Sequence, residues 1–184
     1  MPLYFVTSNE NKVKESERIL GLEIDKLPLD IKEIQTLEVE EVAEDKAKRA
    51  FEQIKKPVAA EDTGFYLEAW NGFPGALIKW VLEALGNEGL CRAFQETNRT
   101  VKVKTCICLY NAREIKTFCG EVKGKIPAKP KGERGFGWDS IFQPDGYEKT
   151  FAEMSPEEKD SISMRKLALV KMKEFLDRNP DFLS

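Results

Sequence analysis

Residues 101–126 read VKVKTCICLYNAREIKTFCGEVKGKI. Val101, Val103, Thr105, Ile107 and Leu109 recur at every second position, the period of a strand that turns one face to a core, and residues 114–126 return beside them as a hairpin. Outward toward the N-terminus the pattern changes. Leu3–Thr7 is an apolar strand, the polar run Ser8–Asn11 follows, and a helix covers Asn11–Leu20. A strand is expected over Glu23–Leu27, then a helix over Val39–Ile54 with Val39, Val42, Ala43, Ala47, Ala50, Phe51 and Ile54 at helical spacing. Pro57–Glu61 is a short strand closed by the polar turn Asp62-Thr63-Gly64. Gly72, Pro74 and Gly75 break the chain before helices over Ala76–Leu85, capped by Gly86, and Glu88–Gln95. Beyond the hairpin come a Lys/Gly/Pro-rich loop (123–135), an aromatic motif, and a last helix over Ile162–Arg178 with Met164, Leu167, Ala168, Met172 and Phe175 on its stripe. Alternating strands and helices before a long hairpin predict an α/β fold: an elongated mixed β-sheet flanked by helices, in two lobes with a substrate cleft between them.

The chain has 184 residues, 41% apolar and 33% charged. One domain of this size buries about 70% of the surface its unfolded chain exposes, enough to fold without metal or disulfide. The net charge of −3 disfavours a long polyanion such as nucleic acid. No stretch approaches the ~20 apolar residues of a membrane span and no signal peptide opens the chain, so the cytoplasm is the expected compartment. Cys106 and Cys108 share one strand face, Cys91 and Cys119 lie in other elements, and all four are expected as free thiols. No zinc spacing exists and histidine is absent. Proton transfer therefore falls to carboxylates, lysine, tyrosine or water.

Four segments carry candidate chemistry. Thr7-Ser8-Asn9-Glu10-Asn11-Lys12 places hydroxyls, amides and a lysine where a strand meets a helix N-terminus; it reads equally as a phosphate site or as a well-capped helix. Lys46 lies on the apolar stripe of its helix, so its ammonium either snorkels to solvent or reaches an anion in a cleft. Glu61-Asp62, before Thr63-Gly64, can hold a divalent ion or position a water, or can simply form a turn; Glu33 and the Glu38–Glu41 run add carboxylates. Gly135–Gly146, GFGWDSIFQPDG, sets Phe136, Gly137, Trp138 and Asp139 in a turn, a flat apolar face beside a carboxylate that suits a purine. Stacking holds a base but hardly distinguishes one from another, so hydrogen bonds must select it. Lys159 and Arg165 are donors that pair with a carbonyl at purine position 6 and not with an amino group. The basic loop with Lys123, Lys125, Lys129, Lys131 and Arg134 lacks interleaved aromatics and reads as solvated.

In order along the chain, TSNENK, EDTG (61–64), PG (74–75), GFGWDSIFQPDG, TFAEM (150–154) and EEKDSISMR resemble the inosine/xanthosine triphosphate pyrophosphatase family. The resemblance implies a magnesium-dependent homodimer that hydrolyses non-canonical purine nucleoside triphosphates to monophosphate and pyrophosphate. It assigns Thr7, Ser8, Asn9, Lys12 and Lys46 to phosphate, Glu33 and Asp62 to the metal, and Asp62 with Glu61 to the attacking water. Thr63, Phe136, Gly137, Trp138, Asp139, Lys159, Ser163, Met164 and Arg165 fall to the substrate pocket. Where the family commonly has Ser-His-Arg, this chain has Ser163-Met164-Arg165, so one base contact is absent.

Overall fold

A computed structural model describes residues 3–21, 24–94 and 98–183. Its elements are β1 (Tyr4–Val6), α1 (Glu10–Leu20), β2 (Asp25–Leu27), α2 (Val39–Ile54), β3 (Val58–Leu67), β4 (Pro74–Gly75), α3 (Ile78–Ala93), β5 (Thr100–Tyr110), β6 (Ile115–Lys125), β7 (Gln143–Pro144), α4 (Pro156–Ile162) and α5 (Met164–Arg178). The strands form one mixed sheet in the order β2-β1-β3-β5-β6-β7, with β4 on the free side of β3. The expected mixed sheet is present: β1 runs parallel to β2 and β3, and the pairs beyond are antiparallel. Glu23 and Gln95, ends of two expected elements, lie outside the described residues.

Both faces of the sheet are covered. On one, Ala43, Ala47 and Ala50 of α2 pack against Val6, Val58, Ala60 and Cys108. Small residues on the helix let its backbone approach the strands. On the other, Val13 of α1 and Ala168, Leu169 and Met172 of α5 pack on Phe5, Ala59, Ile107 and Leu109. A third cluster joins Phe65, Leu67, Val101 and Val103 at the far end of the long strands to α3 and to Trp138, Ile141, Phe142 and Phe151. Each fully buried Phe, Leu, Ile or Val in these clusters contributes roughly 1.5–3 kcal/mol. The cleft opens between the third cluster and the other two.

The structure differs from the sequence expectations in three places that matter. Asp62-Thr63-Gly64 is not a turn: β3 runs straight through it for 10 residues. Gly64 is required there because a Cβ would lie 2.8 Å from Val39 Cγ1 and 2.7 Å from Tyr66 Cε2, so it serves close packing, not chain reversal. The last helix is two helices. Ser163, extended at φ −69°, ψ 151°, ends α4 and caps α5, its hydroxyl accepting from Lys166 N. Consequently Leu167 of the expected stripe is exposed, and Arg165 and Leu169 turn inward. Finally, Cys106 and Cys119 are joined as a disulfide instead of lying apart as free thiols, because the β5–β6 register sets them opposite each other. Cys91 and Cys108 are free and buried as expected.

Candidate active site

The sheet is interrupted at β3. Strand β1 pairs with it only as far as Ala60, and β4 begins only at Phe65. Between them residues 61–64 keep β5 on one side and have neither β1 nor β4 on the other. A cleft of about 930 Å³ opens at this gap. Successive strand residues point to opposite faces, so Glu61 and Asp62 serve different halves of the cleft.

Glu61 points toward α1 and α5 and is 1% exposed. Its two oxygens accept from Arg165 Nε and Nη2, both at 2.9 Å, and Oε1 lies 3.2 Å from Lys12 Nζ. Glu15 of α1 completes the network by pairing with Arg165 Nη1 and with Lys159 Nζ at 2.8 Å. Lys159 also donates to Asp139 Oδ2 at 2.8 Å, and its ammonium sits 4.8 Å from the Phe136 ring centre. Three carboxylates thus meet three cations in a largely dry site, and the charges balance. Burial alone would raise Glu61, but the Arg165 and Lys12 charges outweigh it and bring the carboxyl down to about 2. Burial pushes Asp139 up, against the pull of Lys159.

Asp62 points the other way, toward α2. Lys46 reaches across to it: Nζ stands 2.6 Å from Glu33 Oε1 and 3.7 Å from Asp62 Oδ1, and donates to the Glu61 carbonyl at 3.2 Å. Burial raises the Asp62 carboxyl to about 6, with Lys46 and Lys12 opposing. Its Oδ2 is buried with no hydrogen-bond partner. Burial lowers Lys46 as a cation, but Asp62 and Glu33 more than restore it, so it stays charged.

The α1 end of the cleft combines both readings of its motif. Asn9 Oδ1 accepts from Asn11 N and Lys12 N, capping the helix, while Thr7, Ser8, Asn9 and Lys12 all line the cleft. The aromatic turn is pinned from two sides. Phe136 N donates to Asp139 Oδ2, and Asn87 donates to the Gly137 carbonyl. Gly135 has φ +76°, and a Cβ there would meet Asp139 Oδ2 at 2.1 Å. Trp138 is 8% exposed because its rings pack on Phe65 and Phe142. Phe136, half-buried, offers the freer face.

Of the residues singled out in the sequence, Thr7, Ser8, Asn9, Lys12, Glu33, Lys46, Glu61, Asp62, Thr63, Phe136, Gly137, Trp138, Asp139, Lys159, Met164 and Arg165 line this one cleft. Ser163 does not; it is buried as a helix cap. Lys159 and Arg165 are buried ion-pair partners and not exposed cations at a helix start. Glu15 went unread, although its spacing of three from Lys12 on one helix face was the available signal. The residues on either side of Glu33 in the wall from Leu29 to Gln35, and Lys79 and Glu83 of α3, also escaped, since the first have no periodicity and the others look like solvated helix charges.

Residues 3–175 match the Ham1 family. The chain belongs to the Ham1 family. A Methanopyrus kandleri protein named dITP/XTP pyrophosphatase is 39% identical over 185 residues, covering 97% of this chain and 98% of the relative. A Yarrowia lipolytica protein named inosine triphosphate pyrophosphatase is 41% identical, with 96% of each covered. The solved HAM1 protein of Coxiella burnetii superposes with a TM-score of 0.78 at 30% identity, covering 97% of this chain and all of the other. The Ham1 fold is therefore shared end to end. Among the described residues no helix is long and apolar enough to cross a membrane.

Proposed function

We propose that this Ham1-family chain is a cytoplasmic, homodimeric hydrolase that converts non-canonical purine nucleoside triphosphates, ITP, XTP and their deoxy forms, to the monophosphate and pyrophosphate. The observation that carries the reading is the division of one cleft by β3. A charge-balanced nest with an aromatic face lies on the side of Glu61, and a carboxylate pair with a lysine lies on the side of Asp62. The first suits a base and the second a phosphate chain. The exposed apolar residues Phe73, Trp80 and Leu85 support the dimer.

Counting charges tests the metal. Glu33 and Asp62 against Lys46 leave one excess negative charge, which repels a triphosphate. The donors are all oxygen, and Asp62 Oδ2 is buried and free, which fits a hard divalent ion such as magnesium held by Asp62 and Glu33. When bound, such an ion supplies charge neutralisation and makes a coordinated water more acidic.

The residues of this chain do the rest. Lys12 and Lys46, with the α1 N-terminus, bind and orient the phosphates. Asp62 takes a proton from the attacking water as its oxygen bonds to the α-phosphorus, and the bond to the bridging oxygen breaks to release pyrophosphate. Asp62 has an oxygen without a partner for this task, whereas both oxygens of Glu61 are held by Arg165 and Lys12, which makes it too weak a base. Lys159 and Arg165, held by Glu15, Glu61 and Asp139, present donors to a 6-carbonyl. Incubation with ITP and magnesium should release pyrophosphate in step with IMP; release of inorganic phosphate alone would overturn the reaction class.

A further inference from the structure

The Asp62 carboxylate has a neighbour that the hydrolytic reading does not use. Register sets Asp62 of β3 opposite Cys106 of β5, and Cys106 opposite Cys119 of β6, so the three side chains form a row on the face covered by α2. Directly opposed residues have Cβ atoms about 4.5–5.5 Å apart. Cys106 is fully buried and Cys119 is half-buried. Above them Glu40 of α2 brings a carboxylate oxygen within 4.8 Å of both sulfurs. Its other interactions are incomplete: Oε1 pairs with Lys104, but Oε2 is buried without a partner.

A cystine has no proton to give the Glu40 carboxylate, and two thiols have two. From this we infer that Cys106–Cys119 is a reversible redox site, exchangeable by a small thiol such as glutathione, whose dithiol form is the working state of the enzyme. A glutathione thiolate attacks the sulfur of Cys119, the less buried of the two residues, the S–S bond breaks, and Cys106 leaves as a thiolate that takes up a proton. A second glutathione thiolate attacks the glutathione sulfur of the mixed disulfide, freeing Cys119 as a thiolate that also takes up a proton and giving glutathione disulfide. The cystine gains two electrons and two glutathiones lose them. In the dithiol the S–H groups satisfy Glu40, which seats the first turn of α2. That helix also carries Lys46, and β5 backs Asp62, so the exchange touches both supports of the phosphate end.

The test is a titration of the whole protein in glutathione buffers of stepped ratio, quenched with a thiol-alkylating mass tag. Two tags, above the constant signal of the free Cys91 and Cys108, should appear together at a definite midpoint, reversibly, whereas Cys119→Ser should carry one constant tag at Cys106 and show no midpoint. Glu40→Leu should shift the midpoint in favour of the cystine by about five-fold or more in equilibrium constant, the value of a lost hydrogen bond. Pyrophosphate release should be at least three-fold faster in the dithiol form, with no such difference in Cys119→Ser. Thiols that never oxidise, a cystine that never reduces, an unmoved midpoint in Glu40→Leu, or equal turnover of the two forms would overturn it. The turnover arm rests on the proposed hydrolysis, but the tagging arm does not. A failure of the enzymatic reading therefore shows as absent turnover with the titration intact.

Discussion

Substituting Glu61 by Gln isolates the charge that holds the base-side nest together. The side chain keeps its shape and one carbonyl acceptor, but Arg165, almost wholly buried, loses its two-point partner and retains Glu15, while Lys12 loses its contact. Two routes give the cost. The folded carboxyl stands at about 2 against an ordinary 4.5, and at 1.36 kcal/mol per unit this is about 3 kcal/mol. Breaking a buried ion pair by removing one member costs about 3–5 kcal/mol. For a chain of this length each kcal/mol moves the melting temperature by about 2–4 °C, so Glu61→Gln should melt roughly 6–12 °C below the parent at pH 7. The sign with pH follows from a depressed acid. The stabilisation is complete above the unfolded value of 4.5 and is lost as pH falls through the folded value near 2, so the gap between the two proteins must narrow over that window. Melting followed by circular dichroism from pH 7 to 2.5 reads both quantities. A gap under 2 °C at pH 7, or one that widens in acid, would refute the assignment of Glu61 as the locked centre of the nest.

Asp62→Asn should cut pyrophosphate release by about 10²–10⁴-fold. The same variant, without added metal, should melt above the parent at pH 8. Ionising a carboxyl whose folded value is raised to about 6 weakens the fold as pH rises through 3.8 to 6, so the advantage must vanish below about pH 4. Lys12→Ala should raise KM for ITP about ten-fold or more while the purine preference persists, measured by initial rates over a substrate series. Lys159→Ala should lower the ratio of kcat/KM for ITP over ATP by about ten-fold or more, because the donor to a 6-carbonyl is gone. Chelation of divalent ions with EDTA should abolish turnover, and magnesium should restore it.

Much of this was readable from the chain. The β5–β6 hairpin and α2 follow from clean periods of two and 3.6, and their observed limits, Thr100–Lys125 and Val39–Ile54, lie close to the expected ones. What escaped depended on neighbours distant in sequence. Gly64 looks like turn chemistry until Val39 and Tyr66 are seen pressed against it. Arg165 looks like surface until Glu15 and Glu61 arrive from α1 and β3 to neutralise it. The periodic stripe ran through Ser163 because a serine is tolerated inside a helix as well as at its cap; the two capped helices on either side decide it. Cys106 and Cys119 could be paired only once the hairpin register was known.

The gap in the sheet hangs Glu61 and Asp62 from consecutive residues of one strand, one on each side of it. On the roles proposed above, recognition and hydrolysis meet at a single peptide unit. With those roles, a base that sits askew against Lys159 and Arg165 would disturb Glu61, one residue from the group proposed to handle the water. Discrimination built this way would register in the speed of the reaction as well as in how tightly the wrong nucleotide is held.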